Sequence, residues 1–156
     1  MAHPITNHPA VSTCRVSSSR YRTDVPACYE TTAKDRRLIR QALVLAASST
    51  HGYRMGALAV QGGRVVAQSV NRRRNPPSAV PWVHCSVHAE AGLVRNRPDL
   101  SGSNVYVARL TTGGRAALAR PCSECHSLLS EAGVRRTVWT ASSTSLGVET
   151  LQIFMA

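Results

Sequence analysis

Two short runs, His88-Ala89-Glu90 and Pro121-Cys122-Ser123-Glu124-Cys125, hold residue types that bind metal, and each stands at the predicted start of a helix. Around them the hydrophobic periodicity switches repeatedly between helix and strand. Over residues 33–49, Leu38, Ile39, Ala42, Leu43 and Ala46 recur at three- and four-residue spacing, with Arg36, Arg37, Arg40 and Gln41 off the stripe, which predicts an amphipathic helix. Residues 53–60 and 64–70 read as strands around Gln61-Gly62-Gly63, a hairpin signal. A loop held open by Pro76, Pro77 and Pro81 leads into a helix over residues 88–97, which Pro98 stops. A strand rich in Val and Tyr over 103–110 is followed by a loop containing Gly113-Gly114. Pro121 suits the first position of a helix running to about residue 132, with Gly133 closing it. Residues 135–140 form another strand, and the apolar stretch 146–155 a last strand or short helix.

The order α, β, β, α, β, α, β predicts an α/β layer with a mixed sheet. A chain of 156 residues suits one domain, and 43% hydrophobic residues supply a core that needs no disulfide staples. Residues 1–31 mix Ser, Thr, Pro and Arg without periodicity and are expected to form a flexible N-terminal extension, with the folded domain over 32–156. The first thirty residues lack the apolar core of a signal peptide, and no apolar run reaches the ~18 residues of a spanning helix, so a cytoplasmic protein is expected.

Cysteines are five: Cys14, Cys28, Cys85, Cys122 and Cys125. An odd count argues against a secreted disulfide framework. Taken alone, Cys122-x-x-Cys125 fits a redox pair, half of a structural zinc site or two buried thiols. No second C-x-x-C exists to close a four-cysteine site. Taken with His88 and Glu90, the five residues His88, Glu90, Pro121, Cys122 and Cys125 match H-x-E…P-C-x-x-C, the pattern of zinc-dependent nucleobase deaminases. Three protein ligands leave the fourth tetrahedral position of zinc for water, and two thiolates with one imidazole suit this borderline-soft ion. Helix-start N–H groups and the helix dipole are expected to favour both thiolates.

Over about residues 33–140 the sequence resembles the cytidine/deoxycytidylate deaminase superfamily, which includes the tRNA adenosine deaminases and the nucleic-acid-editing cytosine deaminases. The resemblance implies a three-layer α/β/α fold on a central mixed sheet of about five strands. It implies one Zn²⁺ per chain held by His88, Cys122 and Cys125, with Glu90 shuttling protons between the attacking water, the base and the leaving ammonia. Glu124 is the rival carboxylate, expected to be solvated or paired with an arginine, and His126 is expected to point away from the site. Asn71, after the second strand, resembles the family asparagine that hydrogen-bonds the substrate sugar. The orientation of the last strand separates branches of the superfamily. The roughly ten residues between Thr140 and Leu151 are few for a parallel crossover, and that orientation stays open.

The substrate side is less determined. Candidate contacts are Asn71, Ala89, Arg72 and the loop tryptophan Trp82, with Arg73, Arg74 and His84 nearby. The formal net charge is +11, and Lys34 is the only lysine among nineteen cations. Guanidinium forks suit phosphates, but an arginine-rich composition alone names no partner. The leading expectation is deamination of cytosine to uracil in a free nucleoside or nucleotide such as dCMP, in a protein that assembles as a homo-oligomer. Two alternatives stand beside it: a deaminase acting on cytosine or adenine in single-stranded DNA or tRNA, and a non-catalytic, zinc-stabilised nucleic-acid-binding module.

Overall fold

In the computed structural model the chain is described over residues 31–73 and 86–151. The elements run α1 (Ala33–Ala47), β1 (Arg54–Gln61), β2 (Arg64–Val70), β3 (Arg72–Arg73), β4 (Ser86–Val87), α2 (Ala89–Asn96), β5 (Asn104–Leu110), β6 (Ala116–Ala117), α3 (Ser123–Glu131), β7 (Arg136–Thr140) and β8 (Leu146–Thr150). The main sheet has the order β2-β1-β5-β7-β8, with β6 pairing β5 beyond that path. Among the described residues only β5 and β7 pair in parallel; the other neighbours in this sheet are antiparallel. This is the mixed sheet of about five strands expected from the sequence.

The hairpin between β1 and β2 turns on Gly62 and Gly63, at φ +56° and +82°. That pair of left-handed conformations is the turn whose twist matches antiparallel strands, and glycine adopts it without a Cβ clash. Strand parity then sorts two cores onto opposite faces. Leu58, Val60, Tyr106, Ala108 and Val138 face α1, meeting Leu38, Ile39 and Ala42. Ala57, Ala59, Val105, Val107 and Trp139 face the other way, meeting Ala89, Leu93 and Leu129 of the other two helices. The three layers of the resemblance are thus present.

Several boundaries differ from expectation, each for a local reason. Pro121 is not the first helical residue: Cys122 takes an extended conformation (φ −71°, ψ 168°) as the N-cap, so Pro121 precedes the cap. The stretch 111–120 is not loop throughout, since Ala116 and Ala117 pair with Leu110 and Arg109. The stretch 71–87 is paired at its base, Arg72 with Val87 and Arg73 with Ser86. Two-residue strands carry no periodicity, so the sequence pattern misses them. β8 returns antiparallel to β7 through a turn closed by Ala141 N–H donating to Ser145 O at 2.9 Å, which settles its orientation. No helix among the described residues is long and apolar enough to cross a membrane.

α1 is fixed at its start by a capping box. Asp35 N–H donates to Thr32 Oγ1 (3.1 Å) and Thr32 N–H donates to Asp35 Oδ2 (2.9 Å). The same carboxylate, 2% exposed, accepts two bonds from Arg136 at 3.1 Å and one from the Tyr106 hydroxyl at 2.9 Å. One buried acid therefore ties the first helix to β5 and β7.

Candidate metal centre

α2 and α3 begin at the same end of the sheet. Gly92 packs directly on Ser69, and Asn96 Nδ2 donates to Gln68 O at 3.4 Å, so α2 runs antiparallel to β2 and starts beside Asn71. α3 follows β6, and Ala119 N–H is tied to Thr140 O at 2.8 Å, at the carboxyl end of β7. The helix starts thus meet where the parallel strands end, which is where open α/β sheets place their sites.

The N-cap residues there are His88 and Cys122, and neither side chain caps its own helix. They turn toward each other instead. His88 Nδ1 lies 3.3 Å from Cys125 Sγ and 3.6 Å from Cys122 Sγ, and the three ligand atoms lie within 4.8 Å of one another. A tetrahedral zinc site with Zn–N near 2.0 Å and Zn–S near 2.3 Å separates nitrogen from sulfur by about 3.6 Å. Spacing and donor chemistry fit zinc.

Burial pushes the Cys125 thiol up, with the charges of Glu90 and Cys122 adding to the effect and the Ala91 N–H opposing it. For Cys125 this reverses the expectation that the helix start alone favours the thiolate: desolvation outweighs the N–H groups. A cation is what makes a thiolate stable at that depth.

Glu90 is 2% exposed, and its Oε2 has no hydrogen-bond partner among the described residues. Burial raises its pKa above the ordinary value, while its own backbone N–H and the charge of His88 pull the other way. Such a carboxyl, buried beside three side chains that could hold a metal, is the kind of perturbed group that marks functional sites. Glu124 is exposed, as anticipated. His126 Nε2 faces Glu149 at 3.7 Å and stands outside the ligand group.

Asn71 is 4% exposed, and its amide is largely committed to the protein. Oδ1 accepts from Ser49 Oγ (2.7 Å) and Met55 N–H (2.8 Å), and Nδ2 donates to Tyr53 O. One amide hydrogen remains for any other partner. Ala89 is fully buried in the core. Arg72 is exposed on β3. Trp82, with Arg74, His84 and Cys85, lies outside the described residues.

One residue at this end escaped the sequence reading. Arg109 sits in β5 after Val105 and Val107, on the same parity as those core positions. A charge on the inward parity of a strand was the signal.

A mixed sheet with two helix starts converging on a His/Cys/Cys group beside a buried glutamate gives three ligand atoms placed to hold one metal ion, with a coordination position to spare. The family model described as "Cytidine and deoxycytidylate deaminase zinc-binding region" matches residues 32–141, and the chain belongs to that family of zinc-dependent deaminases. Among solved structures, the chain is similar to the dCMP deaminase of the cyanophage S-TIM5 in apo form (18% identity, TM-score 0.53, covering 70% of this chain and 84% of that one). It is also similar to the cytidine deaminase of Burkholderia pseudomallei (17% identity, TM-score 0.57, covering 74% and 91%). These likenesses establish the fold. No curated protein matches the sequence.

Proposed function

We propose that the protein is a hydrolytic deaminase converting the cytosine base of a free nucleoside or nucleotide, such as dCMP, to uracil, with one zinc ion per chain. The observation that carries this reading is Glu90, a buried carboxyl with one unpartnered oxygen next to the His88/Cys122/Cys125 group. Held by His88, Cys122 and Cys125, zinc would supply Lewis acidity that makes water a nucleophile near neutral pH. Glu90 takes a proton from the attacking water and passes it to the ring nitrogen. It then takes the second proton from the hydroxyl added at C4 and gives it to the amino group; the C4–N bond breaks, and water and cytosine become uracil and ammonia. The remaining Asn71 amide hydrogen meets the sugar, the backbone at Ala89 lines the helix start, and exposed Arg72 bounds the substrate side. Exclusion of bulk water around Glu90 keeps the exchanged proton local.

Exposed Arg72 and Arg73 favour the second reading, in which the base lies in single-stranded DNA or tRNA. A binding module without catalysis leaves the buried Glu90 unexplained.

Glu90→Gln should lower kcat on the true substrate by about 10²–10⁴-fold while zinc content, read by metal analysis, stays near the parent value. Turnover close to the parent rate would sink the role given to Glu90. A panel of cytidine, deoxycytidine, dCMP, adenosine, single-stranded DNA and tRNA, followed by mass spectrometry, decides the substrate. Release of ammonia from adenosine or from a strand, with none from free cytosine compounds, would overturn the leading reading.

A further inference from the structure

At the zinc end of the sheet three side chains form one row. Ser69, Ala57 and Val107 are opposed across β2, β1 and β5, and they face the α2–α3 layer, since Gly92 packs on Ser69 and the other two lie in the core beneath those helices. Two residues further toward the helix starts, Asn71, Met55 and Arg109 stand in line. Asn71 N–H donates to Met55 O at 3.1 Å, and Met55 is the register partner of Arg109. Strand parity returns these three side chains to the same face.

Arg109 is only partly exposed, and its guanidinium carbon lies 4.2 Å above the centre of the Tyr53 ring. Tyr53 O in turn accepts from Asn71, so the ring beneath the guanidinium is tied to the residue that borders the start of α2. Among the described residues three arginines have a buried Nε without a partner: Arg54, Arg109 and Arg136. Arg54 gives a terminal nitrogen to Thr111 O, and Arg136 gives both of its own to Asp35. Among the described residues, Arg109 has neither carboxylate nor carbonyl on its terminal nitrogens. A stacked, half-buried fork of donors with no counter-charge is matched to a phosphate, whose oxygens accept two parallel bonds.

We propose that Arg109, braced on Tyr53, reads a phosphate ester carried by the target nucleoside, so that this site prefers a phosphorylated substrate over a bare nucleoside. The inference rests on the reading of the zinc centre as a nucleobase deaminase site, and it concerns the phosphate rather than the base.

The test is calorimetric titration of the zinc-loaded Glu90→Gln protein, which separates binding from turnover. The ligands are two pairs, deoxycytidine with dCMP and adenosine with AMP, and a trinucleotide with the favoured base at its centre. Within the pair that binds, the 5′-monophosphate is expected to bind about 10- to 100-fold tighter than the nucleoside. Adding Arg109→Ala should erase that ratio while the nucleoside's own Kd moves less than about twofold. A phosphate preference that survives Arg109→Ala overturns the proposal, as does an equal loss for nucleoside and nucleotide, or no preference in the parent. If Arg109→Ala does not fold, Arg109→Lys carries the test: a reduced ratio supports the reading, an unchanged one overturns it. An Arg109-dependent ratio in the adenine pair would refute cytosine as the base and leave Arg109 in place. Weakening confined to the trinucleotide would place the phosphate in a strand; absence of binding by every ligand would overturn both proposals.

Discussion

His88 and Cys122 occupy cap positions where Ser, Thr, Asp or Asn would satisfy helix N–H groups, and both forgo that bond. The two helix starts are therefore weaker without metal than their packing allows. Cys122→Ser should accordingly raise the melting temperature of chelator-treated protein, by the equivalent of about 0.5–1 kcal/mol, because serine is a good cap. The same variant should lose most of the stabilisation that zinc confers on the parent. Thermal melts with and without chelator check both halves. At this scale the sequence was legible where a motif names residue types: the ligand atoms of His88, Cys122 and Cys125 lie within 4.8 Å of one another, and Glu90 is buried on the first turn of α2. It was not legible where a role depends on depth or neighbours. That the Asn71 amide is mostly consumed by Ser49, Met55 and Tyr53, and that Ala89 is sealed in the core, follows from packing across elements distant in sequence.

Among the elements, α2 owes its position to close approach. A Cβ on Gly92 would collide with Ser69 Oγ and press on Ser69 Cβ, so the helix could not stay at its present distance from β2. Gly92→Ala should destabilise the fold by about 1–3 kcal/mol in urea titration, and Ser69→Gly in the same chain should recover much of the loss. Because the first turn of α2 holds His88 and Glu90, the single variant should lower zinc affinity as well.

α1 depends instead on Asp35. Burial alone would raise its pKa, but bonds from Thr32, Arg136 and Tyr106 outweigh that and hold the carboxyl below its ordinary value of 3.8. A depressed folded pKa contributes stability above the unfolded value, and that contribution is lost as pH falls below about 4. Asp35→Asn should therefore cost about 2–3 kcal/mol at neutral pH, with some discount because Arg136 keeps partial solvent contact. Its stability should also fall less steeply than the parent's as pH drops through 4 to 2, measured by denaturation at several pH values. The Tyr106 hydroxyl, pushed up to about 12 by burial and by Asp35, remains a donor throughout that range.

The long elements were all legible in the sequence, since periodicity over seven or more residues is a strong signal. The two-residue strands β3, β4 and β6 were not, and neither was the direction of β8, because partner choice is set by the whole sheet.

Across the whole molecule, the metal ligands and the acid clamp lie at opposite ends of the sheet. His88 of the α2 start meets Cys122 and Cys125 of the α3 start beside the carboxyl ends of β5 and β7; Asp35 joins α1 to the opposite end of the same two strands. Each end is held by a polar cluster that crosses from helix to sheet or helix to helix, and the apolar layers between them carry the bulk of the packing. Thr32 opens the clamp, Arg136 completes it, and Leu151 N–H donates to the neighbouring Arg135 O at 2.9 Å. The first and last described stretches of chain thus come to rest against two adjacent residues at the start of β7, Arg136 and Arg135. Among the described residues both ends of the domain are therefore tied at one corner, on the side away from the chemistry, and loosening that corner would free α1 and β8 together while leaving the centre where α2 and α3 begin in place.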